Sequence, residues 1–348
     1  MSIVIITGAN GLVGSESVDF FSNKGFDIIG IDNNLREFFF GKDGSTSWVK
    51  KQIQKKIKKY QHFNTDIRNY NGLEKIFKKY KKNISLIIHC AAQPSHDYGK
   101  NYPILDFGVN ATGTLNLLEL TKIYCPNSPF IFMSTNKVYG DNPNRLKIIE
   151  KKVRFELEKK NQLYKGIDEN LSIDNCTHSF FGVSKTYADL ITQEYGKNIG
   201  LKTVCFRGGC ITGPNHSGAK LHGFLSYLVK LTTTKKQYNI IGYKGKQVRD
   251  NLHSSDLINC FWEFYKKPKK GEVYNIGGGR FSNCSIIEAL NEVELILNIK
   301  IKRKFISQNR VGDHIWYITN NNKFKKDYPN WKQQYNTKKI ITELIDLA

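Results

Sequence analysis

The chain has 348 residues, 40% of them hydrophobic and 12% aromatic, which is material for about two domains with a sizeable core and excludes a disordered chain. Lys and Arg number 53 against 31 Asp and Glu, a net charge of +22. The basic runs at 50–51 with 55–59, 78–82 and 266–270 fall on expected helix faces or ends with no nucleic-acid module around them. They read as lysine-rich solvated surface, and nucleic acid is not an expected partner.

The first half of the chain alternates two periodicities. Residues 3–7 form a continuous β-branched apolar run, 11–24 read as a helix and 26–31 as the next strand. Strands are expected again at 61–65, 85–89 and 130–133, with helices at 69–80 and 104–124 between them. Apolar strands separated by helices predict a parallel sheet covered on both faces. Two stretches, 36–60 and 142–176, break the alternation and are expected to be insertions on the surface or over a cleft. Beyond Arg207 the pattern is less regular and predicts a smaller lobe.

Directly after the first strand comes Thr7-Gly8-Ala9-Asn10-Gly11-Leu12-Val13-Gly14. Gly8 permits a tight turn, Gly11 the approach of backbone to a pyrophosphate, and Gly14 close packing of helix on strand. The helix start then offers N–H groups and a positive dipole end. The second strand ends at Asp32, eighteen positions past Gly14, where an acid binds ribose hydroxyls and disfavours a 2′-phosphate. Strand, glycines, helix, strand and acid in this order predict a dinucleotide site for NAD, with Arg36 near enough to blur the preference over NADP.

This arrangement resembles the extended branch of the short-chain dehydrogenase/reductase superfamily, in its NAD-dependent nucleotide-sugar epimerase/dehydratase group. Further stretches carry the resemblance: Asp66-Ile67-Arg68, Cys90-Ala91-Ala92-Gln93, Asn110 in Val-Asn-Ala-Thr-Gly-Thr, Ser134-Thr135-Asn136-Lys137-Val138-Tyr139-Gly140, and Phe181-Gly-Val-Ser-Lys185 in the place of the family's Tyr-x-x-x-Lys. In the second half, Gly245-Lys-Gln-Val-Arg249-Asp250, Asn275-Ile-Gly-Gly-Gly279 and Arg310-Val-Gly-Asp313 resemble the nucleotide-sugar segments. The resemblance implies a Rossmann-type doubly wound parallel sheet with a smaller C-terminal α/β substrate lobe. The expected division is an NAD-binding domain over 1–206, including both insertions, and a nucleotide-sugar lobe over 207–348, with 245–267 returning to the first domain. It implies NAD contacts from Gly8, Asn10, Gly11, Leu12, Val13 and Gly14. The next strand ends add Asp32, Asn33, Asn34, Asp66 and Ile67. Ala91, Ala92, Gln93, Asn110, Ser134 and Lys185 complete the expected cofactor contacts. Within the group, the Ser134–Asp141 and Gly245–Asp250 stretches are most similar to epimerases of CDP-hexoses acting at C2.

The expected reaction takes a hydride from a sugar carbon and returns it to the opposite face of the ketone. Thr135 ends the fifth strand, where its hydroxyl is expected to meet the reacting sugar oxygen or else to bond local backbone. Lys185 is expected at the nicotinamide ribose. Phe181 departs from the family, whose tyrosine at this position is the general base; losing a positioned base costs about 10²–10⁴-fold. Three explanations stand open: a deliberate replacement that traps substrate, another residue as base, or binding without turnover. His96, beside Asp97, is the first substitute, since histidine titrates near 6.5. Lys137 and His178 are further candidates, and Tyr187 points to another helix face. The 4,6-dehydratases of this group carry an Asp-Glu pair where Asn136 and Lys137 stand here, so elimination is not expected. Asn136 and His178 are expected at the substrate, Arg249 and Arg310 at its diphosphate, and Asp313 at a ribose hydroxyl. A net nucleotide-sugar oxidoreductase is the remaining alternative.

Seven scattered cysteines, with no CxxC pair, imply neither a disulfide framework nor a zinc site, and the eight histidines form no metal spacing with acids. Cys210 is expected as a small buried side chain rather than a nucleophile. No apolar run reaches the ~20 residues of a membrane helix, and residues 2–7 read as a strand, not a leader. A cytoplasmic homodimer or homotetramer without a membrane partner is expected.

Overall fold

The computed structural model describes residues 2–216, 223–309 and 312–348. Arg310 lies outside the described residues. The chain divides into two compact units: Met1–Val138 with Phe180–Arg207 and Ile258–Tyr274, and Tyr139–Ser179 with Gly208–Leu257 and Asn275–Ala348. This differs from the expected division at two places. The irregular stretch after residue 138 clusters with the second unit, and the returning segment begins at Ile258 rather than 245.

A seven-stranded sheet dominates the first unit. Its order is Tyr60–Phe63, Asp27–Ile31, Ile3–Thr7, Ile84–His89, Phe130–Thr135, Thr203–Gly208 and Glu272–Ile276. The pairings from Phe130–Thr135 across to Tyr60–Phe63 run parallel. Helices cover both faces, so Ile3–Thr7 is buried at all five positions and Thr203–Gly208 at all six, which explains runs without polar alternation. Strand order reverses between Ile3–Thr7 and Ile84–His89, and ligands of open α/β sheets bind outside the carboxyl ends at such a point.

The expected helix over 104–124 is not one helix. It runs as Pro103–Phe107, a π-helical turn Gly108–Thr112, and Gly113–Tyr124. The wide turn sets Asn110 inward, and Gly113 lets it close: a Cβ there would stand 2.5 Å from the Ile67 side chain. Helix Tyr70–Tyr80 starts where Asn69 caps it, its side chain accepting from Gly72 N–H at 3.0 Å.

In the second unit Val248–His253 pairs antiparallel with Asn283–Ser285 and parallel with both Trp316–Tyr317 and Cys210–Thr212. Helices Phe224–Thr233, Ile286–Leu297 and Thr337–Asp346 share an apolar core that includes Leu228, Leu290 and Ile341. Ser285 and Glu288 form a reciprocal capping box at the middle helix.

Candidate functional site

The glycine turn is sterically committed. Gly8 has φ +67°, and a Cβ there would lie 2.7 Å from Ala91 N. A Cβ on Gly14 would stand 2.0 Å from Gly8 O, so only glycine lets the helix start this close to the strand. Helix Leu12–Asn23 begins without a side-chain cap, which leaves its first N–H groups to a ligand. Leu12 and Val13 are half-buried at this start. Asn10 is buried, and its Oδ1 has no hydrogen-bond partner. The uncapped helix start and the orphaned amide oxygen fit a polar, anionic dinucleotide.

Asp32 closes the other side. Its Oδ2 accepts from Asn10 N–H at 3.0 Å and its Oδ1 from Asn34 N–H at 2.8 Å. Burial raises its pKa, against the lowering effect of those two N–H donors. Asn33 donates to Asp66 at 3.0 Å, and Asp66 also pairs with Arg68 at 2.7 Å. Asn34 adopts φ +57°, and its amide ties the insertion down through Glu37, Ser45 and Thr46. Ile67 is core.

Beyond the fourth strand, Ala91 N–H donates to Thr7 Oγ1 at 3.2 Å. Ala92 is half-buried. Gln93 and Asn110, expected to contact the cofactor, turn their side chains into a buried polar network. Gln93 N–H donates to Asn110 Oδ1 at 2.9 Å, and Gln93 Nε2 to Asp106 Oδ1 at 2.5 Å. Asn110 Nδ2 donates to Ser184 Oγ at 3.0 Å, and Ser184 donates to Asp106 Oδ2. These bonds join the loop, the π-turn and helix Phe180–Lys197. The Ser134 hydroxyl also faces inward, donating to Asp189, which pairs with buried Arg207 at 2.8 Å. Asp106, Ser184 and Asp189 were not singled out from sequence: Ser184 lies 78 positions from Asp106, and Asp189 lies 55 positions from Ser134. His89 was missed too; it is buried and linked to Thr7 Oγ1 at 2.7 Å and Thr114 Oγ1 at 2.9 Å.

Thr135, Phe181, Lys185 and His96 all lie in the first unit. Lys185 is 4% exposed, donates from Nζ to Met133 O at 2.8 Å, and stands 4.2 Å from the Phe132 ring centre. Burial pulls its pKa down to about 8. This is no solvated lysine. Thr135 Oγ1 accepts from Lys137 N–H at 3.2 Å, the local bond that sequence left open. Asn136 and Lys137 begin the short 3₁₀ turn Asn136–Tyr139. Phe181 is 7% exposed, and the His96 ring lies 5.1 Å from its ring at 66°.

His178, Arg249 and Asp313 lie in the second unit. Arg249 is buried and paired with Asp313 at 2.8 Å, so guanidinium and carboxylate occupy each other here. His178 lies 3.6 Å from Cys176 Sγ. Asp250 takes the N–H groups of Gly279 and Thr319, and Asp256 those of Gln334 and Tyr335, so both brace local backbone.

A family model described as the NAD dependent epimerase/dehydratase family matches residues 4–277. The chain is 31% identical over 307 residues to the CDP-paratose 2-epimerase of Salmonella typhi, covering 86% of each chain. It is 26% identical to the UDP-glucuronate 4-epimerase of Thermodesulfobacterium geofontis, covering 88% of this chain and 84% of that one. In fold it resembles the UDP-glucose 4-epimerase of Bifidobacterium longum solved with NAD⁺ and UDP, with a TM-score of 0.80, 20% identity, and coverage of 99% and 98%.

Proposed function

Because the chain belongs to the NAD-dependent epimerase/dehydratase family, we propose that it epimerises a nucleotide-diphosphate sugar, a CDP-hexose inverted at C2. The observation that carries this reading is Lys185. An ammonium held in the core on a carbonyl at a strand end is costly unless it serves a site. CDP and C2 are supported by the similarity to a CDP-paratose 2-epimerase. In this reading the glycine turn, Asn10 and Asp32 hold NAD, and Lys185 orients its nicotinamide ribose. The chemistry NAD supplies when bound is reversible acceptance of a hydride from a sugar carbon. Thr135 bonds the reacting oxygen. Arg249 leaves Asp313 to clamp the diphosphate, and Asp313 takes a nucleoside hydroxyl.

A homodimer is part of the proposal. Ile104, Phe107, Phe180 and Val183 are all at least 47% exposed and border one apolar hollow in the first unit. An apolar patch of this kind is an interaction surface, and a second copy meets it by two-fold symmetry. Among the described residues no helix is long and apolar enough to cross a membrane. All seven cysteines are thiols, which fits the cytoplasm we propose.

One observation favours a second reading, binding without turnover: Phe181 offers no ionisable group at the position of the family base. Proton NMR of CDP-, UDP- and GDP-hexoses incubated with protein and NAD⁺ separates the two. A C2 epimer from a CDP-hexose supports the first. Binding with every sugar unchanged supports the second.

A further inference from the structure

We propose that His96 is the general base of this protein, acting in place of the phenol absent at position 181; the proposal rests on the epimerase reading above. Phe181 lies in the first turn of the helix whose next turn carries Lys185, and its ring is buried against the His96 imidazole, with centres 5.1 Å apart. A tyrosine here would direct its oxygen outward from this same ring. The imidazole therefore brings a nitrogen base to the neighbourhood where the family phenol acts.

The position of His96 is built rather than incidental. It is the first residue of helix His96–Asn101, capped by buried Ser95, whose Oγ accepts from Tyr98 N–H. Ser95 N–H in turn donates to Gln93 Oε1 at 2.5 Å, which joins the cap to the network around Asp106. Gly99 presses the helix against the next one. A Cβ there would lie 3.0 Å from Phe181 N and 3.1 Å from Asp106 Oδ1. On another side Tyr98 packs between Phe39 and Phe40, with ring centres 5.3 and 5.6 Å away. The insertion after the second strand thus supports the helix that carries His96. A base held by such a shell loses little freedom when substrate arrives.

Its neighbours have other tasks. Lys185 holds Met133 O, and the Thr135 hydroxyl accepts from Lys137 N–H. Neutral imidazole has the lone pair that an ammonium lacks. In the proposed step the sugar hydroxyl proton passes to an imidazole nitrogen while the electron pair of the adjoining C–H bond leaves as hydride to NAD⁺. The products are a ketone, NADH and protonated His96. On return the hydride adds to the other face, and His96 gives the proton back to the forming hydroxyl. No net electron or proton is consumed.

The test compares the parent protein with His96→Gln, His96→Ala, Phe181→Tyr, and Phe181→Tyr combined with His96→Gln. Sugar-nucleotide turnover is read by NMR, and NAD and CDP-hexose binding by calorimetry. Expected is a 10²–10⁴-fold loss in His96→Gln, with both ligands still bound. Free imidazole restores turnover to His96→Ala, and tyrosine at 181 restores at least ~100-fold to His96→Gln. A merely packing histidine responds to neither rescue. Turnover in His96→Gln within about threefold of the parent overturns the proposal, three-fold being small beside the loss expected of a base. A parent that binds a CDP-hexose without converting it overturns the base assignment and leaves the binding reading standing. A parent that binds no CDP-, UDP- or GDP-hexose overturns both.

Discussion

Replacing Gly14 and Gly11 separately by alanine distinguishes the two tasks assigned to the glycine turn. At Gly14 the new Cβ would lie 2.0 Å from Gly8 O, 2.7 Å from Gly8 C and 2.9 Å from Ala9 Cα, all backbone. Such contacts are relieved only by moving the helix start about 1 Å away from the strand. Overpacking costs typically 1–3 kcal/mol, and a rigid backbone neighbour puts this site at the upper end. Helix propensity returns roughly 0.5–1 kcal/mol for Gly→Ala. The net loss is about 2 kcal/mol, a fall in Tm of roughly 4–8 °C for a domain of 150–250 residues. At Gly11 the Cβ would meet only Gly8 O, at 3.3 Å. That contact needs an adjustment of a few tenths of an ångström, so Tm stays within about 2 °C, under 1 kcal/mol on the same scale. The methyl group instead stands where backbone is to approach the pyrophosphate, and NAD binding falls at least ~10-fold, or 1.4 kcal/mol. Thermal unfolding without NAD and titration calorimetry with it read the two effects. Equal Tm for both variants, or unchanged NAD affinity in Gly11→Ala, would refute the assignment.

Three further outcomes follow from the same geometry. Lys185 is held at about 8 against an ordinary 10.5, so the unfolded chain binds more protons between these values. Stability from this site is therefore deficient below pH 8 and rises between pH 8 and 10.5. Lys185→Met abolishes turnover, and its stability relative to the parent falls between pH 7 and pH 10.5 by up to roughly 3 kcal/mol; parallel denaturation curves at the two pH values check it. Arg249→Gln weakens CDP-hexose binding at least ~10-fold, as loss of a charge-assisted phosphate contact does, while NAD titrates as before. Ile104→Glu puts a charge on the apolar face and shifts sedimentation toward the monomer, with Tm within about 2 °C because the site is 89% exposed.

Elements with strong local signals were legible in the sequence. The β-branched run at 3–7, the three glycines and Asp32 share one short stretch of chain, and their geometry follows from steric limits on Gly8 and Gly14. The helix over 104–124 misled, because its apolar period continues through the π-turn, whose Asn110 finds its partners Gln93 and Ser184 elsewhere in the chain. Ser134 belongs to a stretch that resembles a cofactor segment, yet its hydroxyl serves the buried Asp189–Arg207 pair. Asp106, Ser184 and Asp189 carry no local signal at all; a polar residue on a helix reads as solvated until its partner is known. Conversely, burial of Lys185 turned an ambiguous lysine into a structured one.

The central claim is inversion by removal of a carbon-bound hydrogen and its return to the same carbon. It is tested most directly by incubating the protein and NAD⁺ with a CDP-hexose in D₂O and following proton NMR at the sugar ring. The account predicts a C2 epimer that keeps protium at the inverted carbon. An epimer carrying deuterium there would mean enolisation beside a ketone and contradict it.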